Sequence, residues 1–344
     1  MTAARFTALL GLAAALAQPA AAQTVEQFYK GRTVTMYVGT SPGGINDLSA
    51  RLVARHLGRF IPGNPLIIVQ TQPGAGGLVT ANRIYHGAEH DGSVIAKLER
   101  AVPQLAIQGN PNASFDPTKF TWLGSFSSYA NDAYMLLVNA SYPAKSAADL
   151  QRPGKALNLG GDNAASSNMI FTLIAKEVLG LNVKLVRGYT GATPMFLAMQ
   201  TGELDGQMIG LSSVMTGQRA LWESHAVRPL AQFGRTTRLA ELADVPTGRE
   251  LARDDNARAL LEFAELPFFM ALPFAAPPDI PADRAAALRS AFMAMCADAE
   301  FRSEAERLGF DVSPIDAAAV TSLLARSAAT PKAVIARYNA LGGS

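Results

Sequence analysis

The chain has 344 residues, 49% of them hydrophobic and 17% charged, with 30 Lys and Arg against 28 Asp and Glu. That near balance offers no basic stripe for nucleic acid, and a single cysteine, Cys296, excludes an internal disulfide. A chain this long and this apolar has material for two hydrophobic cores, so two domains are expected.

Residues 1–22 read as a secretory signal. Arg5 supplies the positive start, 6–17 are apolar, and Ala20-Ala21-Ala22 form a small-residue cleavage site before Gln23. The apolar run is shorter than the roughly 18 residues that span a bilayer, and no cysteine stands near the cut to carry a lipid.

Residues 33–60 then set the theme of the chain. Val34, Met36 and Val38 alternate as in a half-buried strand, Ser41-Pro42-Gly43-Gly44 form a loop, and Leu48, Leu52, Leu57 and Phe60 follow on one face of a helix. A strand that ends in glycines and feeds a helix leaves backbone N–H groups free at the positive helix end, which suits an anion. The unit recurs with a strand at 66–69, the loop Gln72-Pro73-Gly74-Ala75-Gly76-Gly77 and a helix over 78–85. Side by side, two such units place two helix starts at the carboxyl edge of a parallel sheet, where open α/β sheets hold ligands.

A third strand is expected at 93–98, an irregular segment at 100–120, and over 120–138 a strand that leaves one domain for the other. Ser146 caps a helix, 157–159 form a strand, and 160–168 a small polar loop before a helix to 179. A strand at 183–186, the loop 188–193, a helix opened by Pro194 and a strand at 207–209 repeat the logic. Strands are expected at 228–233 and 266–274, and amphipathic helices at 282–308, 315–325 and 331–341. Cys296 reads as core packing.

No nucleotide loop is present: Gly39-x4-Gly44 is followed by Ile45-Asn46, where a phosphate loop needs Lys and Ser or Thr. No hydrolase elbow and no zinc motif occurs, and His86 and His90 are only a weak metal pair. No metal, no cofactor and no catalytic residue is expected. The glycine and hydroxyl loops suit recognition instead, and four to six amide or hydroxyl bonds to a charged group would give roughly micromolar affinity.

Several of these stretches together resemble one family. Val38-Gly39-Thr40-Ser41-Pro42-Gly43-Gly44-Ile45-Asn46-Asp47, Pro73-Gly74-Ala75-Gly76-Gly77, Asp91-Gly92, Asn158 onward to Ser167, Gly188 through Pro194, Gly202-Glu203-Leu204-Asp205 and Asp244-Val245-Pro246-Thr247 resemble, in order, motifs of the Bug/TctC family. Those proteins are extracytoplasmic solute receptors of tripartite tricarboxylate transporters. The resemblance implies an α/β fold of two domains in the periplasmic-binding-protein type II (Venus-flytrap) architecture, with a central ligand cleft. Domain 1 would comprise 23–126 and 228–344, and domain 2 residues 127–227. It also implies a periplasmic location, a small carboxylate as ligand, membrane permease subunits as partners, and a monomer.

Carried over by position, the first-domain ligand contacts are Thr40, Ser41, Pro42, Gly43, Gly44, Asn46, Ala75, Gly76 and Gly77. The second-domain contacts are Ser166, Ser167, Asn168, Tyr189, Gly191, Thr193 and Asp205. Asp47 is read as structural, shaping its loop by accepting backbone N–H bonds. Gly43→Val and Gly76→Val are expected to abolish binding with the fold intact. Ile45, Asn46 and Asp162 depart from the family pattern, and the bulk and added acid point away from the usual dicarboxylates toward a monocarboxylate or partly aromatic acid. A receptor for a signalling partner and a secreted α/β enzyme are the alternative functions.

Overall fold

The structure, a computed structural model, describes residues 23–162 and 166–342; the expected signal segment and loop residues 163–165 lie outside them. Its strands are β1 (Thr33–Val38), β2 (Leu66–Thr71), β3 (Val94–Lys97), β4 (Thr121–Ser125), β5 (Tyr134–Asn139), β6 (Leu157–Gly161), β7 (Val183–Arg187), β8 (Gly206–Gly210), β9 (Val227–Phe233), β10 (Pro273–Ala276) and β11 (Ile315–Asp316). They form two sheets, ordered β11-β4-β10-β3-β1-β2 and β7-β6-β8-β5-β9.

Each sheet is built on the same plan. β1 lies parallel between β2 and β3, and β6 parallel between β7 and β8. Helices Ile45–Leu57 and Leu78–His86 make the returns in the first lobe. Next to each parallel trio lies one antiparallel strand that the chain delivers from the other lobe. β4 ends the first excursion and β5 enters the second sheet between β8 and β9; β9 ends the second and β10 returns between β3 and β4. The chain therefore crosses twice between lobes.

The alternation read in β1 buries Val34, Met36 and Val38 completely. Leu52 and Leu57 are likewise buried, but Leu48 is 42% exposed. Val227–Phe233 pairs with β5 along its length, so the second sheet extends to Phe233 and the return crossing begins at Gly234.

Three helical segments depart from expectation. Val102–Ile107 is a helix with Pro103 in its first turn, inside the stretch read as irregular. Asp255–Glu265 is a helix capped by Asp254, whose carboxylate accepts the Ala257 N–H at 2.8 Å. Residues 266–274, read as one strand, split into a 3-10 turn, Leu266–Met270, and then β10. Pro267 suits the start of a helical turn, where its missing N–H is not needed.

One apolar core continues beneath both sheets. On the first-lobe side Phe126 packs edge-on against Phe301 and Phe310, each at 5.6 Å between ring centroids. On the second-lobe side Phe171 meets Tyr134, Phe233 and Phe268 at 5.5, 5.1 and 5.5 Å. Such pairs contribute about 0.5–1.5 kcal/mol each beyond their buried area. Cys296 lies in this core, and burial pushes its thiol up to about 12, so it stays protonated.

Glu265 closes the return crossing. Fully buried, it accepts hydrogen bonds from Gly234 N–H at 3.1 Å and from Arg249 Nε at 2.6 Å. Burial pushes its carboxyl up to about 7, with Arg249 opposing. The unfolded chain loses this proton near 4.5 and the folded chain only near 7. Stability is therefore highest below that window and falls as pH rises through it. We expect calorimetric melting temperatures of the wild type to decline relative to Glu265→Gln across this interval; parallel curves would rule Glu265 out as the source.

Candidate functional site

The parallel strands of both sheets end toward the same gap, which encloses a cavity of about 690 Å³. Open α/β sheets place ligands outside the carboxyl ends of their strands, because the loops there carry helix starts and free amides. The loop after β1 contributes Thr40, Ile45 and Asn46, and that after β2 Ala75, Gly76 and Leu78. Glu99 and Arg100 follow β3, Ser166 and Ser167 follow β6, and Gly210, Ser212 and Ser213 follow β8. The floor comes from the two crossings, with Ser127, Tyr129, Asp132 and Tyr134 on one and Ala271 and Leu272 on the other.

Of the residues expected from sequence, Thr40, Asn46, Ala75, Gly76, Ser166 and Ser167 line the cavity. Gly77 lies just behind it, covered by Glu99. Ser41, Pro42, Gly43 and Gly44 are exposed and are not among the residues that line the cavity. Asp47 accepts the Gly43 N–H at 2.9 Å and a bond from Arg51 Nε at 3.0 Å, which fixes the shape of that loop; the Arg51 bond holds the carboxyl below its usual range. Asn168 is turned inward, accepting from Ser166 Oγ at 2.6 Å and from Asp162 N–H at 3.3 Å.

Tyr189, Gly191, Thr193 and Asp205 stand off the cavity. β7 is an edge strand, and the loop after it points its Tyr189 hydroxyl at Glu203 Oε1, 2.6 Å away. Asp205 accepts the Asn158 N–H at 2.9 Å and pairs with Lys155 at 3.3 Å, tying β6 to β8 from below.

The charged groups of the cleft were not read from sequence. Arg100 stacks its guanidinium over the Phe268 ring at 3.9 Å and donates from Nη2 to Ser167 Oγ at 3.0 Å, linking the two lobes. Beneath the floor Lys97, fully buried, donates to Asn46 Oδ1 at 2.8 Å and to the Leu98 carbonyl at 2.7 Å. Burial pulls the Lys97 ammonium down and pushes the Glu99 carboxyl up, each restrained by the other's charge. A cue existed: open α/β sheets hold ligands outside the carboxyl ends of their strands, and Glu99-Arg100 follows β3 directly.

Tyr129 gives the floor its shape. It adopts a left-handed backbone (φ 63°), uncommon for a bulky residue. Arg235 Nη1 holds this strap by donating to the carbonyls of Tyr129, Ala130 and Asp132 at 3.2, 2.9 and 2.7 Å. A side chain at Gly210 would lie 2.6 Å from the Tyr129 hydroxyl, so only glycine lets the end of β8 approach.

Among the described residues, one cluster of His56, Asp298 and Glu300 has metal-like spacing. Arg59 already pairs with both acids and His56 with Glu304, so the group is an ion-pair network.

Gly43 and Gly77 form a matched pair. Both need a left-handed backbone, at φ 87° and 91°, but a Cβ on Gly43 meets open space while one on Gly77 would lie 2.3 Å from Glu99 Oε2. The cost of Gly43→Val to the fold is therefore backbone strain alone. Gly77→Ala is expected to lower stability in urea unfolding by about 1–3 kcal/mol more than Gly43→Ala; equal losses would mean that Glu99 swings aside freely.

Residues 50–340 match the family model described as "Tripartite tricarboxylate transporter family receptor". A UPF0065 protein of Bordetella pertussis is 27% identical over 258 residues, 74% of this chain and 73% of that protein. Among solved structures, a TctC solute-binding protein from Polaromonas is similar in fold, with a TM-score of 0.68 at 18% identity, over 90% of this chain and 99% of the other. MatC of Rhodopseudomonas palustris, solved with bound malate, is similar with a TM-score of 0.60 at 21% identity, over 91% of this chain and 99% of the other.

Proposed function

The chain belongs to the tripartite tricarboxylate transporter receptor family, and from that premise we propose that it captures a small carboxylate between its lobes. The observation that carries this reading is Arg100. Its guanidinium is aimed into the cavity, held flat on Phe268 and bonded to Ser167 of the opposite lobe. A planar fork of N–H donors fixed in this way matches the two oxygens of a carboxylate.

Around it stand the hydroxyls of Thr40, Ser166 and Ser167 and the loop of Ala75 and Gly76. They are donors suited to an anion, and the malate held by the similar fold of MatC is one such acid. The site residues read from sequence that line the cavity belong to this ligand shell. Gly43, Gly44 and Asp47 support it from outside, as do Asn168 and Asp205.

The lobes are connected by two short crossings, so ligand capture proceeds by their closing together. Family members are periplasmic receptors that work with membrane components of the transporter. For this chain the segment 1–22 would direct export, and the closed form would be presented to permease subunits by a single copy. The matching family model is that of a transporter receptor, which favours binding over catalysis.

The test is a thermal-shift and calorimetric screen of the purified receptor against small carboxylates, together with mass spectrometry of any co-purified ligand. A true ligand at about 100 times its Kd should add roughly 2.7 kcal/mol of stability. Arg100→Gln should weaken that ligand about ten- to a hundredfold, since a charged hydrogen bond is worth about 1.5–3 kcal/mol. Turnover of the acid, or undiminished binding by Arg100→Gln, would overturn the assignment.

A further inference from the structure

The ionisable side chains that line the cavity are unbalanced for a site that takes acids. Arg100 faces three carboxylates, those of Glu99, Asp132 and Asp311. Lys97 does not redress this at the ligand surface, because it lies under the floor with Asn46 and the Leu98 carbonyl as partners. Two of the three acids are committed to the protein. Asp132 accepts from Ser212 Oγ, Ser212 N–H and Ala133 N–H. Asp311 accepts from Ser127 and Ser313 through Oδ2 and from Asn131 through Oδ1.

Glu99 differs from both. Its carboxylate sits where the two glycine loops of the first lobe meet, so close that a Cβ on Gly39 would lie 2.9 Å from Oε1 and one on Gly77 2.3 Å from Oε2. Its Oε1 is buried and has no hydrogen-bond partner. A buried carboxylate oxygen without a donor is costly, and the shortage is met by a group that brings N–H bonds and positive charge. The hollow that would hold an incoming acid in these loops is thus already filled by an acid of the protein.

We propose that the ligand is a carboxylate that also carries a cationic nitrogen, an amino acid or similar zwitterion. Arg100 holds its acid group and Glu99 its ammonium. This rests on the carboxylate reading above and narrows it. A dicarboxylate would set its second charge against three acids with no second cation among the described residues that line the cavity, and such unpaired repulsion is how a site rejects a near relative of its ligand. An ammonium removes the conflict, bringing positive charge and three donors to the Glu99 carboxylate, whose Oε1 has none. The aliphatic wall of Ile45, Leu78, Leu105 and Leu272 leaves room for the chain between the two ends.

The test compares four-carbon acids on the purified receptor by calorimetry: α- and γ-aminobutyrate, succinate and butyrate. At least one amino acid should bind about tenfold or more tightly than both succinate and butyrate. In Glu99→Gln the ratio of amino-acid to butyrate affinity, measured on the same variant, should collapse toward one, and Glu99→Asp should restore part of it. Continued butyrate binding reports that the variant is folded. Succinate outcompeting both amino acids, or an amino-acid preference that survives Glu99→Gln, overturns the proposal while leaving carboxylate capture standing. If no acid of any class binds even at millimolar concentration, the carboxylate reading itself fails.

Discussion

A single guanidinium nitrogen of Arg235 gathers three carbonyls of the strap between β4 and β5, and the cleft depends on that clamp. Carbonyls bent toward one point cannot satisfy one another, so without the cation the strap would present unpaired acceptors to a buried interior. Burial lowers the tendency of Arg235 to stay charged, yet Asp132, Asp311 and Glu241 favour its charge. With the strap fixed, Tyr129 is held at its left-handed backbone angle, against Phe268 and below Gly210. Phe268 in turn is the surface on which Arg100 rests. The ligand-facing cation is therefore placed by a chain of contacts that begins behind the cleft.

The chemistry of the cleft is divided between lobes in an uneven way. The first lobe offers glycine-rich turns, but their meeting point is filled from within by Glu99. The second lobe offers hydroxyls, on Ser166, Ser167, Ser212 and Ser213. Arg100 belongs by sequence to the first lobe and by hydrogen bonding to the second. In the reading proposed above, side-chain charge positioned by those loops takes the place of recognition by amides alone, the arrangement that the glycine loops suggest. Lys97 shows the same economy, since its buried ammonium orients Asn46 rather than meeting the ligand.

Much of the fold was legible because its signals are local. The alternation of Val34, Met36 and Val38 and the glycines before helices 45–57 and 78–86 both follow from short stretches of chain. The helix Asp255–Glu265 carried a cue too, an acidic cap before apolar residues at helical spacing, but it stood among short loops. What could not be read is set by neighbours in the sheet. The loop of Tyr189, Gly191 and Thr193 looks like a binding loop, yet its tyrosine turns to Glu203, whereas the ends of β3 and β8 send unadvertised residues into the cleft. Arg100 sits in a stretch without periodicity, and only its position at the end of β3 reveals it. The tight fit of Glu99 against Gly39 and Gly77 brings together three separate loops, which no local pattern encodes.

The reciprocal placement of β5 and β10 also governs the order of assembly. While the chain is being made, β1 to β4 emerge long before Pro273–Ala276, yet β4 and β3 do not pair with each other; β10 must lie between them. The amino-terminal half can form its parallel trio but is left with an open edge until more than half of the remaining chain has appeared. Completion waits on contacts far apart in sequence, which are slow to form. The two lobes should consequently mature as one cooperative unit rather than one after the other, and a truncation before residue 273 would leave both a missing strand and a cleft without its rear wall.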